Sequence, residues 1–262
     1  MNKIKTYIDW SYDVHALNSH NWINSSIDDA DLVVSINGRR KIESKAIKVL
    51  WLLEPESIEQ DLYKATKEER LAYDYIVSHR DDLVTVNSHI QISPCTPSWI
   101  NPEERKIYEK TKNISMIASR KIMCQGHLYR QEIAKKVSQF VDIYGRGRNF
   151  ELDSKIDGLK DYRFSIAMEN GCYNTYFTEK ILDCFFVGTI PIYWGTENIN
   201  KIFNPKGIIF LEDFMAHIDK FNFEEEYQNR IEAIKENFEI AKSVNFTSAD
   251  GIHKIVKKVF NQ

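Results

Sequence analysis

The sequence predicts an α/β protein made of two Rossmann-like units, and three observations predict it. Short apolar, β-branched runs recur along the chain with amphipathic stretches between them, as in parallel sheets covered by helices. A stretch with three prolines and little periodicity, 94–106 (PCTPSWINPEERK), divides two such successions. The best-formed stretch, 162–195, reads strand, loop, helix, strand. The expected division is an N-terminal domain over 1–100 and a C-terminal domain over 101–262 that includes the terminal helices.

In the first half, Lys3–Trp10 reads as a strand, 14–27 as a helix and loop, and Asp31–Ile36 as a second strand closed by Asn37-Gly38. Ala46–Leu53 (AIKVLWLL) is a third. Glu54-Pro55-Glu56 ends it, because proline has no N–H to continue a ladder. Ile58–Tyr73 is helical, and Tyr75–Val77 is a strand ended by Ser78-His79.

In the second half, Ile114–Ala118 is a strand ending at Ser119, Leu128–Phe140 a helix, and Val141–Tyr144 a strand closed by Gly145-Arg146-Gly147. Phe164–Met168 is short and apolar, and a polar loop runs from Glu169 to Phe177. Thr178 is a good N-cap, with Ile181, Leu182, Phe185 and Phe186 at helical spacing behind it and Gly188 as a C-terminal glycine. Strands follow at Ile190–Trp194 and Ile208–Phe210, then helices at Glu224–Lys242 and Ser248–Phe260. The last helix has one apolar stripe, Ile252, Ile255, Val256, Val259 and Phe260. Its lysines suit a membrane surface, but the short stripe fits a core face better.

Composition excludes several classes. With 262 residues and 43% hydrophobic content the chain can build two cores, and a net charge of −3 argues against a general nucleic-acid binder. The four cysteines, Cys95, Cys124, Cys172 and Cys184, have no metal-ligand spacing and read as reduced thiols. No run is long enough to span a membrane and no signal peptide stands out, so the expectation is a soluble, cytoplasmic protein. Asp28-Asp29-Ala30-Asp31 precedes a strand at its amino end and reads as a solvated turn. His79 and His89 are too far apart to form a local metal pair, and no essential metal is expected.

The loop 169–177 follows the carboxyl end of one strand and opens a helix, where free N–H groups and the helix dipole favour anions. Lys180 stands at that helix mouth, the unfavourable end of the dipole for a cation. A bound diphosphate would relieve this; a solvated surface lysine is the plain alternative.

The letters of this stretch carry more. Tyr162-Arg163-Phe164, Met168-Glu169-Asn170, Tyr176-Phe177-Thr178-Glu179-Lys180, then Gly188, Pro191 and Gly195 resemble the signature of glycosyltransferase family 10, the α-1,3/1,4-fucosyltransferases. That signature runs Y-K-F-x-x-x-F-E-N, a spacer, Y-V-T-E-K, and G-x-x-P-x-x-x-G. Met168 replaces a phenylalanine and Phe177 a valine, both apolar exchanges. The stretch Lys48–Ser57 (KVLWLLEPES) likewise resembles the family's strand that ends in a glutamate.

The resemblance implies the GT-B architecture, with two Rossmann-like domains facing across a cleft, and a donor site in the second. Lys180 and Arg130 are then the phosphate cations, with Arg130 following a strand that ends Ala118-Ser119 and Arg120 as its competitor. Glu179 is implied to bind the donor's sugar hydroxyls, and Ser119, Asn170 and Tyr176 match donor-side positions. The G-x-G at Gly145 and Gly147 serves an ordinary turn as readily. Glu54 is the implied base, at the carboxyl end of its strand, with Glu56 as rival. The implied reaction is inverting transfer of L-fucose from GDP-fucose to a hydroxyl of a GlcNAc- or glucose-containing glycan, by direct displacement without a metal cofactor. Rivals are a same-fold transferase with another nucleotide-sugar donor and a non-catalytic nucleotide-sugar or glycan-binding protein. Animal relatives carry a membrane anchor and stem, so the chain is expected to be of the soluble bacterial or viral type.

Overall fold

The computed structural model describes residues 4–9, 22–38, 42–68, 72–85, 90–92, 98–148, 150–243 and 249–260. The backbone divides into two compact units, Met1–Pro97 with Phe246–Gln262, and Ser98–Asn245.

The first unit holds a parallel sheet of β1 (Ile4–Asp9), β2 (Trp22–Asn24), β3 (Leu32–Ile36), β4 (Ile47–Leu52), β5 (Tyr75–Ser78) and β6 (Ile90–Ile92), in the order β2-β1-β3-β4-β5-β6. β3 is buried along its whole length, as a strand covered on both faces must be. Alternation along β4 sorts its side chains. Leu50 and Leu52 join Leu62 and Tyr63 of α1 (Gln60–Lys67) on one face. Val49 and Trp51 join Ile252, Ile255 and Val256 of the last helix on the other. That helix spans Ala249–Phe260.

The last helix therefore corrects the expected division, which placed it with the C-terminal domain. The physical reason is the second face of the first sheet: its apolar residues need cover, and the stripe of this helix supplies it with Ile252 at 0% and Ile255 at 1% exposure. The helix expected within 14–27 falls mostly outside the described residues, and 22–24 is strand β2 instead. His89 and Cys95 also lie outside the described residues.

The second unit contains β7 (Lys112–Ile117), α2 (Gln125–Val137), β8 (Asp142–Tyr144), β9 (Tyr162–Met168), α3 (Glu179–Phe186), β10 (Ile190–Trp194), β11 (Ile209–Phe210), α4 (Leu211–His217) and α5 (Phe223–Ser243). Its parallel strands run β11-β10-β9-β7-β8. From β7 the chain steps one way to β8; from β9 it steps the other way to β10. The switch point thus lies between β7 and β9. Right-handed crossovers put α2 and α3 on opposite faces there, with their N-termini flanking one crevice at the carboxyl ends of the strands. Phe164 at the centre of β9 is fully buried under Phe221, Phe223 and Tyr227. Gly188 ends α3 with φ +74°, a conformation that glycine adopts without strain.

Candidate active site

At the switch point Arg130 reaches from the second turn of α2 to the end of β9. It is buried, and its Nη2 donates to Met168 O at 2.6 Å, Glu169 O at 3.1 Å and Asn170 Oδ1 at 2.9 Å. Among the described residues its hydrogen bonds all run through that one nitrogen. Gly126 permits this approach: a Cβ there would lie 2.5 Å from Asn170 O. Burial lowers the Arg130 pKa, with Glu169 opposing, and an arginine so placed stays charged.

His127, one turn before Arg130, is buried beside it, and its Nδ1 accepts from Met123 N at 3.2 Å. Burial, then the charges of Arg130, Lys121 and Lys180, push its pKa down to about 4. The sequence reading missed this residue. Its i, i+3 spacing from Arg130, which puts both on one helix face, is the signal that would have found it.

The first turn of α3 is tied to the same strand end. Thr178 caps the helix, and Glu169, fully buried, holds Thr178 with both oxygens: Oε1 accepts from its backbone N at 2.8 Å and Oε2 from its hydroxyl at 2.7 Å. Lys180 does not point into solvent. Its Nζ lies 2.9 Å from Thr178 Oγ1 and 3.3 Å from Glu169 Oε2. Glu179 Oε1 stands 3.6 Å from Lys180 Nζ and 3.3 Å from Lys155 Nζ. Glu169 was read only as a letter of the motif; its burial and pairing depend on a contact nine residues away.

The other positions that the resemblance implies for the donor are more peripheral. Tyr176 is buried and packs edge-on against Tyr173, ring centroids 6.0 Å apart. Ser119 is partly buried at the end of β7, and its carbonyl accepts from Gln131 Nε2 at 2.8 Å. Arg148 donates to Ala118 O and, through Nη2, to Gln131 Oε1 at 2.7 Å, bracing that strand end. Arg120, the competitor to Arg130, is exposed, with its backbone N bonded to Arg146 O at 3.3 Å. Gly145, with φ +142°, lets the backbone pass where a Cβ would meet Ala118 O at 2.5 Å, so this glycine serves the close packing of two strand ends.

In the first unit Glu54 follows β4. Asn37, at φ +47°, accepts from Leu53 N at 2.8 Å and Glu54 N at 3.2 Å; Tyr63 OH donates to the Glu54 carbonyl at 3.1 Å. This fixes the backbone of the partly buried Glu54. Glu56 is engaged otherwise. Lys67 Nζ lies 2.8 Å from its Oε1, and Arg80 pairs with its Oε2. Burial alone would raise the Glu56 pKa; Lys67 and Arg80 outweigh it and hold the carboxyl below its ordinary range.

Among the described residues no three His, Cys, Asp or Glu side chains are grouped so as to hold a metal ion, and no helix is long and apolar enough to cross a membrane.

Two parallel-sheet α/β units, the second with cations gathered where such sheets take nucleotides, give the GT-B fold that the sequence predicts. The model of glycosyltransferase family 10 (fucosyltransferase), C-terminal part, matches residues 107–247, more than half of the chain, and the chain belongs to that family. An alpha-(1,3)-fucosyltransferase of Helicobacter pylori is 42% identical over 65 residues, 25% of this chain and 14% of that protein. Alpha-(1,3)-fucosyltransferase C of Drosophila melanogaster is 24% identical over 176 residues, 60% of this chain and 40% of that protein. The chain thus spans less than half the length of these two relatives. A crystal structure of an α1,3-fucosyltransferase superposes with a TM-score of 0.60 at 18% identity, covering 100% of this chain and 90% of the other. One with GDP gives 0.61 at 18% identity, covering 94% and 93%. At that identity the likeness is one of fold.

Proposed function

We propose that this chain moves L-fucose from GDP-fucose to a hydroxyl of a GlcNAc- or glucose-containing glycan, with inversion by direct displacement. One observation carries the reading: Arg130 and Lys180, from helices on opposite sides of the switch point, meet at the end of β9 around Glu169 and Asn170. Charge grows on a departing diphosphate, and cations already fixed in a partly buried crevice stabilise it without reorganising. In this reading Lys180 and Arg130 take the diphosphate. Ser119, Asn170 and Tyr176 line the donor, and Glu179 receives its sugar hydroxyls. A nucleoside diphosphate leaves readily, so no acid need protonate it. The acceptor's proton goes to Glu54. Glu56, paired with Lys67 and Arg80, is poorly suited to take it.

Family membership supports the choice of donor, as does the fold shared with α1,3-fucosyltransferase structures solved with GDP and with GDP-fucose. A donor screen on purified protein tests it: release of GDP from GDP-fucose, GDP-mannose and UDP-sugars, with and without glycan acceptors. The reading predicts acceptor-dependent release from GDP-fucose. Turnover of another donor instead, or binding without release, would contradict it.

A further inference from the structure

The group that holds Glu179 in place has no part in the reading above, though it rests on that reading's assignment of Glu179 to the donor sugar. Glu179 and Asp183 are four residues apart on α3 and so share a helix face, where two like charges repel. Lys155, from the short 3-10 turn Lys155–Gly158 that precedes β9, sits between them. Its Nζ is 2.6 Å from Asp183 Oδ2 and 3.3 Å from Glu179 Oε1. Asp183 is fully buried, and its other oxygen is fixed, accepting from Ser98 Oγ at 2.6 Å and Trp99 N at 2.9 Å. Burial works against the Lys155 charge, but Asp183 and Glu179 outweigh it and raise its pKa above the ordinary lysine value.

The two ends of this chain of contacts differ in kind. Asp183 is held by the Ser98 hydroxyl and the Trp99 backbone N–H, whereas Glu179 stands in the first turn of α3 at the crevice. A carboxylate at that helix position is already favoured by the dipole and needs no ammonium for stability. Lys155 and Lys180 both approach the same oxygen, Oε1, and together they select one rotamer of the Glu179 side chain. A group fixed before binding loses less freedom when a ligand hydroxyl arrives.

We propose that Lys155 is a positioning residue for donor-sugar recognition: anchored by Asp183, it holds the Glu179 carboxylate where it meets the hydroxyls of the transferred sugar. GDP has no such sugar, and this separates positioning from a merely structural role. The test compares GDP-fucose and GDP on Lys155→Met, Lys155→Gln, Lys155→Arg and Glu179→Gln, with KM and kcat for the donor, calorimetric Kd for GDP, and Tm. Lys155→Met should raise the GDP-fucose KM by about ten- to a hundredfold, with GDP affinity within about twofold of wild type. Lys155→Arg should recover most of the loss. Lys155→Gln keeps a donor but no charge, is gentler to the fold, and should fall between. Wild-type KM in Lys155→Met and Lys155→Gln, or equal losses for GDP and GDP-fucose that track Tm, would overturn the proposal. If Glu179→Gln leaves the GDP-fucose KM unchanged, the assignment of Glu179 fails. If Glu179→Gln loses donor binding and the Lys155 variants do not, Glu179 stands and the positioning role of Lys155 falls.

Discussion

Glu169 and Thr178 lock together with two hydrogen bonds, backbone N to Oε1 at 2.8 Å and hydroxyl to Oε2 at 2.7 Å, closing the loop between β9 and α3. The carboxylate is fully buried and also faces Lys180 Nζ at 3.3 Å. One side chain therefore satisfies the N–H of the helix cap, orients the cap hydroxyl and places the ammonium. Glu169→Ala leaves these donors and the lysine without their acceptor in a buried site. It should cost stability on the order of 3 kcal/mol, read as a lower urea midpoint. An unchanged midpoint would show that the loop holds its shape by other means.

Lys180 contacts both members of this pair, Thr178 Oγ1 at 2.9 Å and Glu169 Oε2 at 3.3 Å. Lys180→Ala should weaken GDP binding by about ten- to a hundredfold, the worth of one charge-assisted contact to phosphate. Arg130→Ala should weaken it similarly. It should also lower the melting temperature, because Arg130 secures the carbonyls of Met168 and Glu169. Calorimetry with GDP, alongside thermal unfolding, measures both; equal GDP affinity in the two variants and wild type would remove the diphosphate from this crevice.

For the base, Glu54→Gln and Glu56→Gln should fail differently. Glu54→Gln keeps shape but cannot accept a proton. Transfer should fall by about 10²–10⁴-fold while GDP affinity holds. Glu56→Gln breaks ion pairs with Lys67 and Arg80 that are partly solvent-exposed, so about 1 kcal/mol of stability or less is at stake and transfer should stay near wild type. Measured side by side, a dead Glu56→Gln with an active Glu54→Gln would reverse the assignment.

His127 makes stability depend on pH. Its pKa in the folded chain is about 4, against about 6.5 for an unperturbed histidine. The unfolded chain therefore takes up the proton first, and the stability linked to neutral His127 is present above about pH 6.5 and lost as pH falls toward 4. His79, pushed down to about 3 mainly by burial, acts in the same direction in the first unit. His127→Gln should flatten part of the decline between pH 6.5 and 4 relative to wild type. Identical slopes in urea titrations across that range would contradict the buried neutral imidazole.

Much of this was legible in the sequence because it is local. The apolar runs at 31–36 and 46–53 form strands as expected, and Thr178 caps α3 as its letter suggests. The family signature falls on the switch-point loop itself. What the sequence hid is held by distance along the chain. Glu169 acts through a residue nine positions on, Lys155 through residues 24 and 28 positions on, and neither spacing has a helical or strand period. The last helix was assigned to its neighbours in sequence, whereas its stripe completes the sheet formed by the first residues of the chain. Glu54 was preferred to Glu56 from its place at the strand end alone; the ion pairs of Glu56 with Lys67 and Arg80 join residues 11 and 24 positions apart and had no local signal.

GDP bound at the switch point between β7 and β9 would protect the backbone around it, and hydrogen exchange with and without GDP measures that protection. Exchange should slow on GDP addition in the start of α2, about residues 124–131, and in the loop and first turn at 169–181, with the far end of the sheet around 209–217 unchanged. Protection confined to other segments, or none at a GDP concentration that saturates binding by calorimetry, would contradict it.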